Sequence, residues 1–191
     1  MDFFKKVKAY PSYGSVGIFT GCMLALDIAS VRKLDYILVL DISNGVSEFW
    51  SFITRTLNQF TSRLEVLSHI TEKYPNLFEK DIEEGLSWLS TEEQFESIRK
   101  IFEANQFAFL RIDFKDREPC AQIGKILKNN QLQVDVIYTS NIDACSVFNR
   151  CGTKWPYTQV SEIVDDSKSF LYISAGSSGR NGPPLRCCIL N

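Results

Sequence analysis

The chain has 191 residues, 45% of them hydrophobic, which is enough for one domain whose single core needs no metal or disulfide. We therefore interpret residues 1–191 as a single domain. The formal net charge of −2 offers no basic surface for duplex nucleic acid, so we expect a small-molecule or protein substrate. No apolar run reaches the ~18 residues of a membrane span, and no signal-peptide core opens the chain, so we expect a cytoplasmic protein without a transmembrane segment.

The cysteines and the histidine exclude several kinds of site. The six cysteines form no C-x-x-C pair and no zinc-finger spacing, so we interpret them as reduced and mostly buried, with no metal site. The one histidine, His69, falls in a helical pattern with Leu64, Leu67 and Ile70. A partly buried helix residue is the favoured interpretation, which argues against most hydrolase mechanisms.

The first part of the chain contains a glycine cluster. Residues 3–10 show no clean period, and Gly14, Gly17 and Gly21 then precede an apolar segment, residues 22–29, which predicts a helix buried against a sheet. Unpaired N–H groups and the positive end of the dipole at such a helix start favour an anion or a carboxylate-bearing ligand. The alternative is that small residues allow close helix packing.

The strongest signal lies in residues 35–50. The aliphatic run 36–40 ends at Asp41 and passes through a Ser-Asn-Gly turn into a helical pattern. A short run that is apolar on both faces predicts a strand of a covered, mostly parallel sheet. A carboxylate at the carboxyl end of such a strand is placed to bind the hydroxyls of a ribose. Asp41 is the leading site candidate, and the alternative is a helix cap or turn former.

Helical patterns fill the next sixty or so residues. They predict helices over residues 45–60, 63–73 and 78–89, and a further helix that starts at a capping box in residues 90–93. This is long for one crossover between strands, so we interpret it as a helical insertion.

Two more apolar runs end in polar residues. Residues 107–113 end in Asp113, and residues 134–139 lead into Ser140 and Asn141. The helix between them is predicted to face the core through Ile123, Ile126 and Leu127. The alternation predicts an α/β fold with a Rossmann-like, mostly parallel sheet, helices on both faces and a polar line along one sheet edge.

The end of the chain predicts a short helix over residues 159–165 and an antiparallel hairpin that pairs residues 169–174 with residues 185–190. The last four residues, from Cys188, also match the C-a-a-X prenylation motif. We favour the terminal strand over prenylation at Cys188, because Asn is an uncommon last residue and no polybasic segment precedes it.

This pattern resembles a class I S-adenosylmethionine-dependent methyltransferase domain, of a small divergent bacterial group, over most of the chain. The resemblance implies that the turn of Gly14, Gly17 and Gly21 approaches the methionine part of the cofactor, that Asp41 binds the ribose and that Asp113 contacts the adenine. Twenty positions separate Gly21 from Asp41, close to the ~20 expected between a nucleotide-binding glycine turn and its ribose acid.

The resemblance further implies that Ser140, a cofactor-binding candidate, and Asn141 line the methyl-transfer site. Tyr138 and Asn141 are the catalytic candidates, and together with Tyr157 they are the candidates to orient the acceptor. The family's first strand, which ends in an acidic residue before Gly-x-Gly, is not visible, and residues 3–10 are a poor substitute. The alternative function is therefore a catalytically inactive, methyltransferase-like interaction protein, in one version anchored to a membrane through Cys188.

Overall fold

The computed structural model describes residues 3–75, 85, 87–114, 116–140, 157–164, 169–175 and 186–190. The strands are β1 (Val16–Phe19), β2 (Tyr36–Leu40), β3 (Phe107–Leu110), β4 (Val134–Ser140), β5 (Phe170–Ala175) and β6 (Arg186–Leu190). The helices are α1 (Phe3–Ala9), α2 (Met23–Arg32), α3 (Asn44–Gln59), α4 (Arg63–Lys73), α5 (Glu92–Glu103), α6 (Arg117–Asn129) and α7 (Tyr157–Ile163). Within this part of the chain, no helix is both long and apolar enough to cross a membrane.

The six strands form one sheet in the order β3-β2-β1-β4-β5-β6. Strands β1 to β5 run parallel to one another, whereas β6 runs antiparallel to β5. From β1 the chain moves outward to β2 and β3 and then returns to place β4 on the other side of β1. This reversal is the topological switch point where α/β sheets bind ligands. The predicted Rossmann-like, mostly parallel α/β fold is confirmed.

Sequence reasoning did not detect the first strand, which lies inside the glycine cluster. β1 is only four residues long, and Gly17 interrupts its apolar pattern. A Cβ atom on Gly17 would clash with the side chains of Leu34 and Phe19, so glycine is required here for close packing. A strand before α2 is therefore present, as the resemblance requires, and residues 3–9 do not supply it, since they form α1.

The helical insertion lies between β2 and β3 and contains α3, α4 and α5 among the described residues. The predicted helix over residues 78–89 falls mostly outside the described residues, and its described end, residues 87–89, forms a turn. Helix α5 is capped by Thr91, whose hydroxyl accepts the Gln94 N–H at 3.2 Å. The capping box thus lies one residue beyond its predicted position.

Apolar side chains cover both faces of the sheet. One core cluster joins Phe19 and Val39 to α2, α3 and α5, and the other joins Ile18 and Ile137 to α6 and α7. The prediction that Ile126 faces the core is wrong, since its side chain is 59% exposed, whereas the Ile123 side chain is buried. Both faces nevertheless carry helices, as predicted.

The C-terminal hairpin is confirmed. β5 and β6 pair antiparallel from Phe170 opposite Leu190 to Ser174 opposite Arg186. Cys188 pairs with Tyr172, so the cysteine of the C-a-a-X match is a strand residue at one edge of the sheet.

A buried ion pair joins Arg32, the last residue of α2, to Asp135 near the start of β4. The Arg32 Nε and Nη2 atoms each donate to one Asp135 carboxylate oxygen at 2.7 Å, and the two side chains are 3% and 0% exposed. The remaining N–H groups of Arg32 donate to the carbonyl oxygens of Val7, Tyr10 and Pro11. All five donors of the guanidinium are therefore satisfied.

The same carboxylate holds the loop that leads into β1. Asp135 Oδ1 accepts hydrogen bonds from the Ser12 hydroxyl, the Tyr13 N–H and the Gly14 N–H. The next two N–H groups, of Ser15 and Val16, both donate to the carbonyl oxygen of residue 133, just before β4. The ion pair thus helps to set where β1 begins beside β4.

We predict that Arg32→Met lowers the free energy of unfolding by about 3–5 kcal/mol, because it leaves the Asp135 carboxylate buried without its cation. Arg55→Met is the matched control, since Arg55 is exposed on α3 and should change stability by about 0.5 kcal/mol or less. Urea denaturation of both variants tests this, and equal losses would contradict it.

Candidate functional site

The carboxyl ends of four parallel strands bring several predicted site residues to one edge of the sheet. Gly21 follows β1, Asp41 directly follows β2, Asp113 follows β3, and Ser140 is the last residue of β4. Strand pairing aligns these ends, with Phe19 opposite both Val39 and Tyr138 and with Leu40 opposite Leu110. Asp41 and Asp113 therefore share one rim of the sheet, as the alternation of strands and helices predicted.

Two of the three glycines do not reach this edge, which corrects the predicted turn. Gly14 lies at the amino edge, where its N–H points to Asp135, and Gly17 lies within β1. Only Gly21 belongs to the turn between β1 and α2. Asn141 lies outside the described residues.

The Asp41 carboxylate accepts two hydrogen bonds from backbone N–H groups. Its Oδ2 atom accepts the Gly21 N–H at 2.9 Å, and its Oδ1 atom accepts the Ser43 N–H at 2.8 Å, at the start of α3. The predicted alternative of a turn former is therefore correct, but it does not displace the site interpretation. An ionised carboxylate has about four acceptor positions, and the half-buried Asp41 uses two of them here.

Both the N–H and the carbonyl group of Gly21 are hydrogen-bonded to side chains. Its φ of 81° is a left-handed conformation that favours glycine. Its N–H donates to Asp41, and its carbonyl oxygen accepts the Trp50 indole N–H at 3.0 Å. The turn is therefore fixed by two hydrogen bonds, and its N–H group is already engaged by Asp41.

The role of Trp50 was missed in the sequence, where its helical spacing indicated only a core residue. A buried tryptophan nevertheless needs an acceptor for its indole N–H, and this requirement was a usable signal. The structure places that acceptor, the Gly21 carbonyl, in the predicted site.

At the switch point between β1 and β4, the Thr20 N–H donates to the Tyr138 carbonyl oxygen at 3.0 Å. The Tyr138 side chain is only 6% exposed. Burial, with a smaller contribution from Cys22, raises the pKa of Tyr138 to about 12. Its phenol is therefore neutral near pH 7.

Asp113 lies in the short connection between β3 and α6. The Asp116 N–H donates to the Asp113 carbonyl oxygen at 2.9 Å, which turns the chain toward α6. Burial, followed by the charges of Asp116 and Asp113, raises the pKa of the Cys120 thiol to about 11.

A cavity lies at the opposite edge of the sheet. It has a volume of about 630 Å³ and lies between α6, α7 and the first residues of β4 and β5. Its lining includes Lys125, Lys128 and Phe170, and none of the predicted site residues is part of it.

Comparisons with known proteins match a family model and solved structures. The model of a family described as "Domain of unknown function (DUF7790)" matches residues 68–149, which is less than half of the chain. A search of curated proteins found no match. Among solved structures, the chain is similar to the rRNA methyltransferase aviRa from Streptomyces viridochromogenes, with 15% sequence identity, a TM-score of 0.40, and coverage of 94% of this chain and 73% of that chain.

The Cys120 thiol leads to a pH-dependent prediction. The unfolded thiol loses its proton near its ordinary value of 9.0, whereas the folded thiol keeps it up to about pH 11. The folded state therefore binds more protons between these values, so this contribution to stability is complete below pH 9 and is lost as the pH rises through 11.

We expect the stability of the parent to fall between pH 8.5 and 10.5, relative to Cys120→Ala, by on the order of 1–2 kcal/mol. Urea denaturation of both proteins at the two pH values gives this difference. A stability difference that stays constant with pH would show that the thiol is not held as described.

Proposed function

We propose that this protein binds S-adenosylmethionine at the carboxyl edge of its sheet and transfers the methyl group to a small-molecule or protein acceptor in the cytoplasm. The observation that carries the proposal is the link between Asp41 and Gly21. It joins the acid that follows β2 to the turn that follows β1, at the switch point of the sheet, and leaves part of the carboxylate's hydrogen-bonding capacity for a ligand.

The donor set fits the cofactor. Asp41 would accept the ribose hydroxyls, Asp113 on the next strand would contact the adenine, and Gly21 would leave room for the methionine part. The sheet order and the antiparallel terminal strand agree with what the resemblance to class I methyltransferases implies. One departure is that β1 ends next to Thr20 instead of an acidic residue.

The chain's own contribution to methyl transfer is mainly placement of the acceptor. The cofactor supplies an electrophilic methyl group on a sulfonium, and correct orientation of an acceptor can contribute about 7–11 kcal/mol to lowering the barrier. Ser140 and Asn141, at and beyond the end of β4, are proposed to contact the acceptor. Because the Tyr138 ring is buried, its proposed role is to form the wall of the site behind them.

A second candidate is a methyltransferase-like protein that binds partners without catalysis. The observations that favour it are the engaged N–H of Gly21 and the absence of an acidic residue next to β1. The missing first strand no longer supports it, because β1 is present. A membrane anchor at Cys188 is disfavoured by the pairing of this residue with Tyr172.

Calorimetric titration with S-adenosylmethionine tests the proposal. We expect the parent to bind and Asp41→Asn to bind about 10 to 100 times more weakly, because charge-assisted hydrogen bonds contribute roughly 1.5–3 kcal/mol. Asp35→Asn is the matched control, since Asp35 is an exposed acid at the other end of β2.

Thermal melting of each variant shows whether it is folded. A parent that shows neither heat of binding nor a rise in melting temperature would refute the proposed function, because ligand at 100 times its dissociation constant adds about 2.7 kcal/mol to stability. Equal affinities for the parent and Asp41→Asn would exclude Asp41 from the site.

A further inference from the structure

We infer that Trp50 is a positioning residue for the cofactor site: its indole N–H, acting through the Gly21 carbonyl, sets the orientation of the turn after β1 and of the Asp41 carboxylate. This inference rests on the proposed function. It assigns a site role to a residue in the helical insertion, which contributes no other predicted site residue.

Three hydrogen bonds and helix α3 connect Gly21, Asp41 and Trp50 in a closed ring. The Gly21 N–H donates to Asp41, and the other oxygen of Asp41 accepts the N–H of Ser43 at the start of α3. Helix α3 then carries Trp50 back to the Gly21 carbonyl. The orientation of Gly21 and that of Asp41 are therefore coupled through one helix.

Packing against neighbouring rings fixes the position of the Trp50 indole. It is 1% exposed, and it packs edge-on against Phe49, with ring centroids 5.4 Å apart, and against Phe107 of β3 at 5.0 Å. The ring thus contacts α3 and β3 while its N–H reaches the turn after β1. Few rotations of the indole preserve these contacts, so the direction of its N–H is well defined.

The Gly21 peptide, in contrast, depends on its partners for its orientation. Glycine visits left-handed and right-handed backbone conformations with little steric cost, so hydrogen bonds must select the observed φ of 81°. Without the indole donor, the Gly21 carbonyl loses this hydrogen bond, and a resulting change in the φ and ψ angles of Gly21 would move its N–H relative to Asp41. A ligand that depends on the direction of the Asp41 oxygens would bind more weakly.

The test compares three proteins with the parent. Trp50→Phe keeps an aromatic ring and removes the donor, and benzothienylalanine at position 50 keeps the bicyclic shape and replaces only the N–H by sulfur. Trp88→Phe is the matched control, because Trp88 is equally buried and stacks on Phe95 in the same core cluster. Dissociation constants for S-adenosylmethionine are measured by calorimetry well below each melting temperature.

We expect both changes at position 50 to weaken binding about tenfold, as the loss of one hydrogen bond predicts, and Trp88→Phe to stay within about twofold of the parent. The amide resonance of Gly21 should also shift in both position-50 proteins without ligand, and it should not shift in Trp88→Phe. If Trp50→Phe does not fold, the benzothienylalanine protein decides the question.

Three results would overturn the inference. Parent-like affinity in the benzothienylalanine protein would exclude the donor role and leave the proposed function intact. Equal weakening by the Trp50 and Trp88 variants would assign Trp50 to general core packing. A parent that does not bind S-adenosylmethionine would refute the proposed function, and the inference would fail with it.

Discussion

The arrangement of this sheet depends on the buried ion pair between Arg32 and Asp135. A buried ion pair stabilises the fold only if the remaining hydrogen-bonding groups of both side chains also have partners. Here the guanidinium uses all five donors, and the carboxylate also accepts N–H and O–H groups from the loop before β1. One pair of side chains thereby ties α1, that loop, α2 and β4 together, and it fixes the start of β1 beside β4.

The strand pairing determines what meets at the carboxyl edge. β1 pairs with β2 from Val16 to Phe19, and after a register shift between Val16 and Gly17 it pairs with β4 up to Tyr138. The turn at Gly21 therefore lies beside Asp41 and beside the end of β4. The two edges of the sheet therefore have different roles. The amino edge carries a fully satisfied charge network, whereas at the carboxyl edge the Asp41 carboxylate has hydrogen-bonding capacity beyond the two backbone N–H groups that it accepts.

Local patterns predicted most strands and helices, and contacts between distant residues explain what they did not predict. The β2 and β4 runs and the terminal hairpin were recognisable because their residues are apolar and bounded by turn formers. β1 was missed because Gly17, which close packing requires, breaks its short apolar run. The partners of Asp135 and Trp50 lie 103 and 29 positions away, so no local pattern could reveal them. The available signs were the polar Asp135 inside an apolar strand and the indole N–H of Trp50, which needs an acceptor when it is buried.

The carboxyl edge of the sheet is the proposed binding site for S-adenosylmethionine. The most direct test is a titration with this compound followed by backbone amide NMR. Binding at this edge predicts progressive shifts at Gly21, Asp41 and Asp113 and constant resonances at Gly14 and Val134 at the opposite edge. Shifts confined to Val134 and the other residues that line the amino-edge cavity, or no shifts at all, would contradict it.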